Sequence, residues 1–193
     1  MDNAIEDYFA EWCERSGRLA PLYALVDGLI YADAGTVPLT RSASNAALFD
    51  LTADASLAQA GPWLIDYAAC GKAVRHSLVE QAQTPQGVNW LISGHTLNTL
   101  AEELRQRLDA VRPDGSRALL RFYDARVMHG LAEVLSDMQR IRFFVPVFEW
   151  LVQLADSTGR CNTLVEHLSG GVEAECLSRS LVQLSGDRVE LKL

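Results

Sequence analysis

Leu119-Leu120-Arg121-Phe122-Tyr123-Asp124-Ala125-Arg126-Val127-Met128 (LLRFYDARVM) sets two arginines around one aspartate inside an otherwise apolar run. An arginine among large apolar residues is costly unless it is paired. The stretch is therefore a catalytic site, a ligand clamp or a brace. Alternation predicts a strand up to Tyr123, with Ala118, Leu120 and Phe122 on one face and Leu119, Arg121 and Tyr123 on the other. Asp124 then suits the N-cap of a helix carrying Val127, Leu131, Val134, Leu135 and Met138 on one side. Arg121 needs a carboxylate. Asp124 is near but engaged as a cap, and Asp27, at the end of the first strand, is the other candidate. The expected structural motif is Asp27, Arg121, Phe122, Tyr123, Asp124 and Arg126: a strand-to-helix joint in which Phe122 feeds the core and the arginines brace the turn.

Outward from this joint, the pattern alternates strands and helices. Upstream, "RPDG" (112–115) is a turn, and Leu97, Leu100, Ala101, Leu104, Leu108 and Val111 mark one face of a helix over 96–111. "VNWLIS" (88–93), "GPWLIDY" (61–67) and Leu22–Val26 read as strands, the last buried on both faces. Helices are predicted over 3–15 and 69–83. A long connection is predicted over 31–47, with one short helix near Ser44–Leu48. Downstream, "FFVPVFEWLVQL" (143–154) is strongly apolar, and Pro146 argues against a central strand or an unbroken helix. After Gly159 the pattern gives helical pieces over 162–169 and 172–184. The expected fold is α/β: a mixed sheet of about four or five strands flanked by helices. The expected division is an α/β domain over 1–155 and a small, mainly helical lobe over 156–193.

Hydrophobic residues make up 49% of the 193 and charged residues 22%, which suits a folded globular chain. The net charge of -8 argues against nucleic acid or an anionic membrane as a partner. No run approaches the roughly 18 apolar residues of a membrane span. The start of the chain has no basic or long apolar leader, so a cytoplasmic protein with reduced thiols is expected. The chemistry motifs fail one by one. The four cysteines form no C-x-x-C and the four histidines no H-x-x-x-H, so no metal is expected. "CGKA" (70–73) has Ala73 where a phosphate loop needs Ser or Thr, and Asp66 where it needs Gly. No G-x-S-x-G elbow is present. No catalytic residue and no cofactor is expected. The one reading that would make the chain an enzyme is an anionic substrate held by Arg121, Asp124 and Arg126.

"LYALVDG" (22–28), "NAALFDL" (45–51), "PWLIDY" (62–67), "GVNWLIS" (87–93), "LAEELRQRLDAVRPDGSRALLRFYDARVM" (100–128) and "FFVPVFEWLV" (143–152) occur in that order. Together they resemble the effector-adaptor (chaperone) domain of bacterial type VI secretion systems, the Tap-like family, over roughly residues 21–152. The Arg-Phe-Tyr-Asp-x-Arg-Val core at 121–127 is the most specific part. Two departures stand out. Ala125 sits where that family has Pro, and the helix that should follow the first strand is hard to discern over 31–44. The resemblance implies a non-enzymatic cytoplasmic adaptor. It would bind a toxic effector protein and help load it onto a VgrG-type spike protein. The excess of large apolar residues late in the chain leaves two readings open: these segments close the domain's own core, or they form a partner-binding surface, whose expected residues are Phe148, Trp150, Leu151, Leu164, Leu168, Leu177 and Leu181.

Overall fold

The computed structural model describes residues 4–84, 87–112, 114–152 and 161–162. The core of the fold is β1 (Leu22–Asp27), buried at every position as its unbroken apolar run requires. On one side it pairs with β3 (Pro62–Asp66), Leu25 opposite Leu64; on the other with β4 (Asn89–Ile92), Tyr23 opposite Leu91. β2 (Asn45–Ala47) extends the sheet beyond β3, and β7 (Glu149–Val152) and the two-residue β8 (Cys161–Asn162) extend it beyond β4. The order is β2-β3-β1-β4-β7-β8. The α/β class is as expected, but every described pairing is antiparallel, so the sheet is not mixed. A separate hairpin joins β5 (Asp109–Val111) to β6 (Arg117–Leu119).

Helices α1 (Ala4–Ser16), α2 (Gly28–Asp33), α3 (Lys72–Gln81), α4 (Leu97–Arg105), α5 (Ala125–Val134) and α6 (Asp137–Phe144) flank the sheet. Trp63, Trp90, Trp150, Tyr23, Phe122 and Phe143 fill the core between these layers. α1 is amphipathic and lays Ile5 and Trp12 into that core; Gly17 ends it at φ +65°, where a side chain would be strained. None of the helices in the described residues is long and apolar enough to cross a membrane.

Several elements differ from the sequence reading. In place of the short helix near Ser44–Leu48, Asn45–Ala47 form β2. The Leu48 N–H donates to Pro62 O and the Asp66 N–H to Ser44 O, and these ladder bonds outcompete local helical ones. The helix missing after β1 exists as α2, only six residues long and started by Asp27. α4 stops at Arg105 instead of running to 111; Leu108 leaves the helix, and its carbonyl accepts the Leu120 N–H. The chain turns back around Gly115 (φ +81°), so β6 ends at Leu119 and pairs with β5, outside the main sheet. α5 ends at Val134. Ser136 and Gln139 form a capping box that starts α6, which places Met138 on a second helix. β7 is a central strand despite Pro146, because the proline lies before it: the turn closes with the Val147 N–H on Phe144 O, and pairing begins at Glu149. Of the expected helical lobe over 156–193 only Cys161–Asn162 are described, and they form β8 beside β7; the rest of it and its boundary at 155/156 lie outside the described residues.

Candidate functional site

The segment from Leu120 to Asp124 leaves the hairpin as a turn and delivers α5. The turn breaks strand alternation, so Phe122 and Tyr123 are both buried while Arg121 faces outward. The Phe122 ring meets Phe143 at 5.6 Å and Trp150 at 5.9 Å, both edge to face. The Tyr123 carbonyl accepts a bond from Asn89 Nδ2 at 2.7 Å, and Asn89 Oδ1 accepts one from Trp150 Nε1 at 3.2 Å. One buried amide thus ties the turn to β4 and β7.

Of the two carboxylates open to Arg121, the distant one is used. Arg121 Nη2 donates to Asp27 Oδ2 at 2.8 Å across 94 positions of sequence. Asp27 Oδ1 meanwhile accepts the Leu29 and Ile30 N–H groups at 3.0 and 3.4 Å, capping α2. One carboxylate therefore starts a helix and anchors the turn. The Arg121 guanidinium also sits over the Tyr123 ring, 5.7 Å from its centroid. The Asp27 hydrogen bond holds the guanidinium charge more firmly than usual, and burial pushes the Tyr123 phenol up. Asp124 repeats the arrangement locally. Its Oδ1 accepts the Arg126 N–H and Nε, both at 3.0 Å, and its Oδ2 accepts Nη2 at 2.6 Å. Burial alone would raise the Asp124 carboxyl, but the Arg126 bonds and charge outweigh it and hold the group below its ordinary range.

All six motif residues thus meet at one joint. Both carboxylates are buried and occupied by donors; the outer edges of Arg121 and Arg126, about half exposed, are what solvent sees. A groove of about 330 Å³ lies elsewhere, lined by Leu51, Asp54, Glu102, Arg105, Asp109 and Arg117 among others, and by neither Arg121 nor Arg126. Among the described residues no group of histidine, cysteine and carboxylate side chains is placed to hold a metal ion.

The expected partner surface divides. Trp150 and Leu151, 0% and 1% exposed, belong to the core: β7 is covered by neighbouring strands and by Phe122, Phe143 and Phe144. They are corrected from partner contacts to core residues. Phe148 is partly buried, stacked 5.8 Å from Trp12 with the Arg18 guanidinium over its ring. Leu164, Leu168, Leu177 and Leu181 lie outside the described residues.

Three polar residues with structural work were missed. Arg107, buried, donates from Nε to Phe143 O at 2.8 Å and from Nη2 to Arg142 O at 3.0 Å, and it pairs with Glu103. It closes the C-terminal end of α6 from α4's side. Burial lowers the pKa of its guanidinium. Glu149 accepts from Trp12 Nε1 at 3.1 Å and Tyr8 Oη at 3.4 Å, pinning α1 to β7; burial and then this carboxylate push the Tyr8 phenol up to about 12. Asn89 completes the set. Asn89 and Glu149 carried a signal, each a lone polar residue in an apolar strand, whereas Arg107 looks like one more surface arginine.

An antiparallel α/β domain with an internally satisfied ion-pair joint is the class that fold and site define. Residues 22–142 match the model of a domain of unknown function, DUF4123, and the chain belongs to that family. The match falls inside the span of the resemblance described above. No curated protein and no solved structure gives a significant match.

Proposed function

We propose that the chain is a cytoplasmic adaptor that binds a type VI secretion effector and helps load it onto a VgrG-type spike protein. Family membership over residues 22–142 carries the reading, since DUF4123 is associated with type VI effectors. The joint supports a scaffold role. Asp27 and Asp124 are spent on helix caps and arginine pairs, and Phe122 and Tyr123 on the core, which leaves no poised base or nucleophile within it. The role is non-enzymatic. The chain acts through surfaces, and its partners are proteins.

The test is capture on the immobilised full chain from a host lysate, followed by reconstitution with each purified candidate. A type VI effector or the spike protein binding directly at about micromolar Kd or tighter is the expected result. Failure of both to bind at that concentration refutes the adaptor role.

A further inference from the structure

Leu51 is the one residue other than glycine with a positive φ among the described residues, at +64°. A leucine there is strained, because its Cβ crowds the following carbonyl oxygen. The conformation is held from both sides. Arg41 clamps the Asp50 carboxylate with two bonds of 2.6 Å, and the Asp50 N–H donates to Ala47 O. The Thr52 N–H and hydroxyl both donate to Phe49 O, at 3.2 and 2.7 Å, and Phe49 is buried. The leucine presented in this way is 91% exposed, so it gives the core almost nothing in return. A lone exposed leucine is ordinary. One held outward against a backbone cost points to a contact beyond the chain's own fold.

Leu51 stands at the edge of the groove of about 330 Å³, with Asp54, Glu102, Arg105, Asp109 and Arg117 around it. Both arginines of the groove are engaged. Arg105, its side chain 16% exposed, turns inward to Glu102 and the Ala47 carbonyl, and Arg117 pairs with Asp109 at 3.5 Å. Asp54 has no side-chain partner. The odd charge of the groove is therefore negative, and the net charge of -8 reinforces it. The matching surface carries an apolar pocket for Leu51 and, beside it, a lysine or arginine for Asp54. A second copy fits poorly, because a two-fold contact here would set two acidic grooves against each other. We propose that the effector docks here, with Leu51 as its anchor and Asp54 receiving one of its basic side chains. The inference rests on the adaptor reading, in which the effector is the cargo that is held and the spike is met at hand-over. A preorganised anchor acts mainly on the off-rate, which suits the cargo.

Leu51→Gly tests the proposal first on the free full chain. Glycine takes this φ without strain, so the variant should melt at or above wild type, by up to about 4 °C. A clearly lower melting temperature would mean that the leucine serves its own fold, and overturns the proposal. Leu51→Gly and Asp54→Lys are then titrated calorimetrically with the purified effector and, separately, with the purified spike protein found by the capture experiment above. Each variant should weaken effector binding at least about tenfold and leave spike binding unchanged. Wild-type affinity for the effector in Leu51→Gly overturns the docking assignment and leaves the adaptor reading standing. A loss confined to the spike, or a wild-type dimer that Leu51→Gly dissolves, gives the anchor to another occupant and overturns it equally. If wild type binds neither protein, the adaptor reading has failed, and the proposal falls with it.

Discussion

Replacing Arg121 by alanine isolates the most distinctive bond of the joint. Asp27 is 4% exposed, so losing its cation strands a buried carboxylate. Two features limit the damage. The Leu29 and Ile30 N–H groups still bond Asp27, and Arg121 was itself 49% exposed, so its removal opens a path for water. A fully sealed ion pair would lose about 3–5 kcal/mol on removal of one partner; with solvent this close the loss should be about 1–2 kcal/mol. Asp27→Asn keeps an acceptor for the α2 cap and removes only the charge, so a cycle of Arg121→Ala, Asp27→Asn and the double variant isolates the pair. Its coupling energy should be about 1 kcal/mol and should shrink as salt is raised. Urea unfolding at pH 7, followed by fluorescence of the buried tryptophans, reads all four proteins. A loss of about 4 kcal/mol or more for Arg121→Ala would mean that the guanidinium is sealed from water. A coupling below about 0.3 kcal/mol would mean that the bond does not matter; either result refutes the reasoning.

Asp124→Asn should cost about 0.5–1 kcal/mol at neutral pH, because Asn still caps α5 and half-exposed Arg126 gives a screened pair. The Asp124 carboxyl is depressed in the fold, so its contribution is complete above the unfolded value near 3.9 and fades as pH falls through the lower folded value; unfolding curves of wild type and variant should converge in that acid range. Arg107→Lys should destabilise by about 1–3 kcal/mol, since an ammonium cannot span the Phe143 and Arg142 carbonyls and Glu103 together; thermal melts that match wild type would remove Arg107 from the α6 terminus. Gly28→Ala should lose about 1–3 kcal/mol in urea unfolding, because its Cβ would lie 2.6 Å from the backbone oxygens of Gln59 and Gly61. Trp150→Ala should cost about 3–5 kcal/mol; a variant of normal stability that had lost partner binding would return Trp150 to the surface.

What the sequence made legible tracks the range of the interaction that decides each feature. Asp124 as a cap, Gly17 as a stop and β1 as a two-faced strand depend on neighbours within a few residues, and all three stand as read. The hairpin at 109–119 was lost because helical periodicity and strand pairing compete over the same apolar residues. Leu104 sits inside α4 and Leu108 just past its end, and only the Leu108–Leu120 bond, supplied by chain that has turned back, decides where the helix stops. Pro146 misled for a related reason. A proline forbids pairing only at its own position, and the strand begins three residues later. The Arg121 partner was open for a deeper reason. The local choice, Asp124, was already taken by its own helix and by Arg126, which leaves an arginine to find whatever carboxylate the topology brings near. The order β3-β1-β4 places β1 at the centre of the sheet, and Asp27 ends that strand where α2 and the turn meet. A single aspartate can then serve two elements distant in sequence. That economy explains why the Arg-Phe-Tyr-Asp-x-Arg-Val segment is distinctive: its residues answer at once to three strands (β1, β4 and β7) and three helices (α2, α5 and α6).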